Sequence, residues 1–119
     1  MEHVTIGAWG ETLACDYLSR KGYKIVDRNR RIGRDEIDII ALAPNGDIAL
    51  IEVKTKTTLS AGSASEELSN RKLKALARSA ARYAYDNNVP EDQISVEAIA
   101  IDVSRSKKMA NIKHFKTIL

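Results

Sequence analysis

The stretch Asp35-Glu36-Ile37-Asp38-Ile39-Ile40-Ala41-Leu42, the segment Pro44-Asn45-Gly46-Asp47, and then Ile48-Ala49-Leu50-Ile51-Glu52-Val53-Lys54 decide how this chain is read. Pro-Asn-Gly-Asp is turn chemistry, and the flanking runs are short and apolar, which predicts a hairpin of strands over residues 37–42 and 48–54. The second run is apolar on both faces until Glu52, as suits a central strand covered on both sides. Asp38, Glu52 and Lys54 are charges set into these runs, and a buried charge is costly unless it is paired or bound to a metal. Side chains alternate along a strand, so Glu52 and Lys54 share a face, and the hairpin brings Asp38 beside Glu52. Two carboxylates so placed can share a divalent cation, and their oxygen donors suit magnesium or manganese. Such an ion supplies polarisation of a phosphoryl oxygen and a more acidic water, while Lys54 holds the attacking water or neutralises charge developing on the phosphate. This is an arrangement for metal-assisted phosphodiester cleavage. The plain alternative is a solvated Glu/Lys pair at a half-exposed hairpin end, which Glu52-Val53-Lys54 taken alone favours and which the placement of Asp38 on the neighbouring strand argues against.

Outward from the hairpin, residues 6–21 read as a helix, with Leu13, Ala14, Tyr17 and Leu18 at helical spacing and Gly22 where a C-terminal cap belongs. Residues 23–26 read as a first strand. Residues 57–65, rich in Thr, Ser, Gly and Ala, read as a loop. A long helix is expected over 66–87, its apolar face formed by Leu68, Leu73, Leu76, Ala77, Ala80 and Ala84, with Pro90 closing the region. Residues 94–103 form a fourth strand and 112–119 a short fifth at a sheet edge. Trp9 and Tyr17 are expected in the core. The predicted class is α/β, a mixed central sheet flanked by helices in the order αβββαββ, as one domain over residues 1–119.

The bulk numbers bound the function. A chain of 119 residues with 44% apolar and 29% charged residues is an ordinary globular composition with room for one core. Its formal charge of +3 is a mild basic bias, compatible with nucleic acid but not diagnostic of it. A single cysteine, Cys15, excludes an internal disulfide and a multi-cysteine zinc site and fits a reducing cytoplasm. Two histidines near opposite ends, His3 and His114, argue against histidine zinc or Ser-His-Asp chemistry. No stretch reads as a signal segment or a membrane span, so a cytoplasmic protein with no membrane partner is expected.

Glu11 extends the acidic set. It borders the apolar stripe of the first helix, beside Gly7 and Gly10, whose missing Cβ atoms would let this turn approach the sheet. A carboxylate there needs a partner, either a metal or the site lysine; as a bland alternative it only complements the helix dipole. At this point the chain resembles a known family. Gly7, Gly10-Glu11, Ala14, Tyr17-Leu18 and Lys21-Gly22-Tyr23, then Arg28-Asn29 and Arg31, then Glu36-Ile37-Asp38-Ile39-Ile40-Ala41, then Ile51-Glu52-Val53-Lys54 and Lys56, resemble the YraN-like family. These are small endonuclease-like bacterial proteins of the PD-(D/E)xK superfamily, similar to archaeal Holliday junction resolvases. The resemblance runs over nearly the whole chain and weakens after about Asn87. It implies a restriction-endonuclease-like core, with Asp38 and Glu52 as metal ligands for Mg2+ or Mn2+, Lys54 as the catalytic lysine and Glu11 as an accessory ligand. One position departs from the pattern: Asp35 stands where the family usually has glycine, adding a carboxylate and removing backbone freedom.

Arg28, Arg30, Arg31 and Arg34 crowd what reads as the connection before Asp38, and Lys56 follows Lys54. With Lys72 these are the candidate nucleic-acid contacts, set around the acidic cluster. Along the long helix Arg71, Lys74, Arg78 and Arg82 share one face; Arg78 and Arg82 read as a solvated surface, with Glu67 available to pair with Arg71. Aromatic residues make up 5% of the chain, too few to suggest base stacking as the binding mode, so structure preference is expected rather than sequence preference. The leading expectation is a metal-dependent DNA endonuclease acting on duplex, branched or damaged DNA in repair or recombination. The alternatives are a nucleic-acid-binding module of weak or absent catalysis on the same fold, and an assembly subunit pairing through the last strand. A homodimer fits both the first and the last of these.

Overall fold

The computed structural model describes residues 5–57, 63–65, 68, 70–104 and 106–116. Helix α1 (Ile6–Arg20) is followed by β1 (Lys24–Ile32), β2 (Asp35–Leu42), β3 (Ile48–Thr57), helix α2 (Asn70–Asn87), β4 (Ile94–Ser104) and β5 (Met109–Phe115). The strands form one sheet in the order β1-β2-β3-β4-β5, so β3 is its centre and β5 an edge, as expected. All neighbours are antiparallel except β3 and β4, which run parallel and are joined by the α2 crossover. This is a mixed α/β sheet flanked by helices, in the expected order αβββαββ. Among the described residues no helix is long and apolar enough to cross a membrane.

The sheet is covered on both faces because its central strands are apolar at consecutive positions. Ala49, Leu50 and Ile51 are all fully buried. Ile51 packs with Ile39, Ala41, Ile99 and Ile101 against Ala14 and Leu18 of α1. Leu50 packs with Ile32, Ile40 and Val96 against Leu76 and Ala80 of α2. The first helix starts on Thr5, whose Oγ1 accepts from the Ala8 N–H at 3.0 Å, a cap not anticipated from the sequence. It ends as predicted at Gly22, which sits at φ +92° while the Tyr23 N–H reaches back to the Leu18 carbonyl at 2.9 Å.

Three expectations need correcting. The first strand runs to Ile32 rather than Val26, so Arg28, Arg30 and Arg31 lie on β1 and only Arg34 lies in the turn before β2. Hydropathy hides this strand because it is a sheet edge with most of its side chains in solvent. Trp9, expected in the core, is 40% exposed, since the helix presents Gly10 and Ala14 to the sheet instead. The last strand begins three residues earlier than expected, at Met109. The second helix is described from Asn70, and the expected start at Glu66 and the Glu67–Arg71 pair lie outside the described residues, as do residues 117–119 and His3.

Candidate functional site

The hairpin pairs Ile39 with Ile51, Ile40 with Leu50 and Ala41 with Ala49, and its described pairing stops at Ile39. Beyond that point Asp38 turns its carboxylate towards β3, and Oδ2 accepts the Val53 N–H at 2.8 Å. The side chain thus takes a donor that a continued ladder would have used. Across from it on the other side, β1 pairs Arg28 with Ile39 and Arg30 with Ile37, and Asn29 between them adopts φ +52°. Asparagine tolerates this left-handed conformation better than most residues, and its occurrence within a strand marks local strain at the point where Asp38 is presented. Strict alternation would put Ile37 and Ile40 on opposite faces, yet both pack in the α2-side cluster, so β2 is wrenched between them.

Asp38 and Glu52 therefore stand together as the sequence predicts. Burial pushes the Asp38 carboxyl up to about 6, with Glu11 and Glu36 adding repulsion against the steadying Val53 N–H. Burial pushes Glu52 up to about 7, and the neighbouring Asp38 is the next largest cause; Lys72 and Lys54 pull it back down. Two half-buried carboxyls that resist ionising together are a site short of positive charge. Lys72 on α2 comes within 3.9 Å of Glu52, so the residue predicted as a nucleic-acid contact also faces the acidic pair. Lys54 lies two positions beyond Glu52 on the same strand and acts on its charge.

Glu11 reaches the same region from α1, where it raises the carboxyls of both Asp38 and Glu52. The structure gives it Arg28 as a partner, at 4.0 Å. The close approach expected of the first helical turn is real at Gly10, where an added Cβ would fall on Thr55 Oγ1 and lie 2.9 Å from Thr55 Cβ, and is absent at Gly7. Thr55 Oγ1 is buried beneath the helix without a hydrogen-bond partner among the described residues. Among the described residues no three His, Cys, Asp or Glu side chains close to metal-binding distance. The remaining basic candidates are dispersed. Arg28 also donates to Thr12 at 3.3 Å, Arg30 is held by Asp27 at 3.1 Å, Arg31 is exposed on β1, and Lys56 lies two positions past Lys54 on β3. Arg34 lines a groove along α2. Asp35 is tied to α2: Arg78 donates to both its oxygens, at 3.0 and 3.1 Å. That guanidinium holds the Asp35 carboxyl below the usual range.

The model described as "Uncharacterised protein family UPF0102" matches residues 10–109. The chain belongs to the UPF0102 family. The match contains Glu11, Asp38, Glu52 and Lys54 together. UPF0102 relatives include a protein of Chlorobaculum parvum, 42% identical over 116 residues, which span 93% of this chain and 88% of that one. Another, from Alkaliphilus oremlandii, is 38% identical over 111 residues, covering 93% of this chain and 94% of its own. Among solved structures, an EndoMS-dsDNA2 complex superposes with a TM-score of 0.49 at 13% identity, covering 81% of this chain and 36% of that one.

A second polar constellation on this UPF0102 sheet was missed by reading the sequence. Glu97 of β4 is 2% exposed. Its Oε1 accepts from Tyr23 at 2.8 Å and pairs with His114 Nε2 at 2.6 Å, and its Oε2 accepts from Ser95 at 2.8 Å. Tyr17, expected in the core, is partly buried with its hydroxyl 3.2 Å from His114 Nδ1. Burial alone would raise the Glu97 carboxyl, but the hydrogen bonds of His114, Ser95 and Tyr23 outweigh it and hold it low. The same burial, with the carboxylate alongside, pushes the Tyr23 hydroxyl up. The only sequence signal was a glutamate inside an apolar strand, the signal that singled out Asp38.

Proposed function

We propose that this UPF0102 protein is a metal-dependent DNA endonuclease, its 119 residues forming one nuclease domain that selects branched or damaged DNA by shape. The observation that carries the reading is the pair Asp38 and Glu52, two half-buried carboxyls both raised by burial, Asp38 further raising Glu52, beside Lys54 and Lys72. The donor set fits a hard divalent cation: Asp38 spends one oxygen on Val53 and keeps the other, and Glu52 offers its carboxylate. Asp38 and Glu52 would hold Mg2+ or Mn2+, with Glu11 accessory to them. Once bound, the ion supplies Lewis-acid polarisation of the phosphodiester. The chain's own groups do the rest. The Val53 N–H fixes the Asp38 carboxylate, Lys54 meets charge developing on the phosphate, and Arg28 steadies Glu11 on α1. A cytoplasmic role in DNA repair or recombination, and a homodimer on duplex DNA, accompany this reading.

The test is cleavage of labelled linear duplex, single-strand, flap and four-way junction DNA with Mg2+, Mn2+ or chelator. Wild type is expected to cut in metal and not in chelator, Glu52→Gln to be inactive, and Lys54→Met to lose roughly 10²- to 10³-fold. Equal cutting by Glu52→Gln would end the proposal. A second reading, a binding module with little catalysis on the same fold, is favoured by one observation. Lys72 already approaches Glu52 at 3.9 Å, as a counter-charge in place of a metal would. It predicts DNA binding that persists in chelator with no cleavage in any metal.

A further inference from the structure

The positive charge of this chain is concentrated in one place. A groove of about 940 Å³ along α2 is lined by Arg34, Arg71, Lys72, Lys74 and Arg78, with Asp35 as its acidic residue. Five bases against one acid leave four net positive charges there, whereas all the other described residues together carry a net charge of only +1. The groove is not isolated. Asp35, Lys72 and Ala75 are shared with a smaller cavity that contains Glu52, and Arg34, Asp35 and Arg78 with one that runs on to Arg82. The exposed side chains of Arg71, Lys74, Arg78 and Arg82 form a stripe on one side of α2. At 1.5 Å per residue the stripe extends about 16 Å, over which one DNA strand carries about five phosphates.

We infer that this groove is the track of a nucleic-acid phosphate backbone leading to the Asp38/Glu52 pair, and that Asp35 is an internal stand-in for phosphate on Arg78. The inference rests on the nuclease reading for what lies at the end of the track, but not for the binding itself. The Arg78 guanidinium gives Asp35 the two-pronged geometry that it would give a phosphate. A backbone phosphate entering the groove competes for that fork, so Asp35 weakens binding by the amount needed to displace it. An acidic peptide would meet the same charges, and competition by polyglutamate separates the two.

The experiment is fluorescence anisotropy of a labelled 20-base-pair duplex with the full chain in chelator, at several salt concentrations, so that binding is read without cleavage. Arg71→Glu/Lys74→Glu is expected to weaken binding tenfold or more and to flatten the salt slope by roughly 2. Lys107→Glu/Lys113→Glu, which changes the net charge equally on the β5 side, is expected to stay within about threefold of wild type. Asp35→Asn is expected to bind several-fold tighter with a steeper slope, and Arg78→Ala to abolish that gain. The inference is overturned if the groove variant binds like wild type, if both double variants weaken equally, or if polyglutamate displaces the duplex as well as unlabelled duplex does. Weaker or unchanged binding by Asp35→Asn, in protein of unchanged circular dichroism, overturns the role of Asp35. Loss of the groove effect with metal-dependent cleavage intact removes this inference alone. An intact groove effect with no cleavage removes the nuclease reading alone.

Discussion

At the scale of residues the molecule carries two buried carboxylate groups of opposite electrostatic character. Asp38 and Glu52 are raised by burial first and by neighbouring acids second. The folded chain therefore holds more protons than the unfolded one between the ordinary carboxylate range and about 7, and the metal-free protein should lose stability as pH rises through that window. Urea melts at pH 5, 6, 7 and 8 should show the decline, and Asp38→Asn/Glu52→Gln should flatten it. Millimolar Mn2+ at pH 8 should raise the melting temperature of wild type and leave the double variant unmoved. A pH-independent wild type would refute the coupling. Glu97 behaves in the reverse sense. Its carboxyl is held low, so its contribution is present above the unfolded value of 4.5 and disappears as pH falls below it. Replacing it by Gln at pH 7 should cost about 3 kcal/mol, because three groups lose a charged acceptor in a buried site. The penalty should shrink by pH 3.5, and an equal loss at both values would show that packing, not charge, is responsible. Asp38 and Glu52 were legible in the sequence because the hairpin turn fixes their register. The partners of Glu97 were not, since Tyr23 and His114 reach it from 74 and 17 residues away and carry no common motif.

At the scale of elements, α1 approaches β3 closely enough at Gly10 that a Cβ would meet Thr55. Gly10→Ala gains about 1 kcal/mol of helix propensity but overpacks against a rigid strand at a cost of about 3 kcal/mol, a net loss near 2. Thr55→Ala, which removes the hydroxyl and methyl that the new Cβ would strike, should recover part of that loss in the double variant. A stability for Gly10→Ala equal to wild type would mean that the helix shifts freely, and that Glu11 is not held in register with Asp38 by this contact. The elements themselves were unequally visible. The β2–β3 hairpin, the Gly22 stop and the central position of β3 followed from turn residues and a doubly apolar run. The outer half of β1 did not, because Asp27 to Arg31 has no apolar alternation; it is a strand because Ile37 and Ile39 of β2 need partners, not because of its own composition. Asp35 was noticed as a departure that adds a carboxylate, but its partner was not, because the Arg78 pairing to α2 is a long-range contact that strand periodicity does not encode.

At the scale of the whole molecule, three of the four strand pairings are antiparallel, and the fourth joins β3 to β4 with Ile48 opposite Ile94, 46 residues later. Such non-local pairing closes slowly. Pulse-labelled hydrogen exchange during refolding should therefore protect the amides of β2 before those of β4, and simultaneous protection would contradict this order. The same topology has a consequence during synthesis. Ala49, Leu50 and Ile51 leave the ribosome in a strand already paired on one side with β2, while the strand that must close the other side has yet to be made. For the time needed to add those 46 residues, the central strand of the sheet is an open edge that any extended segment nearby can join.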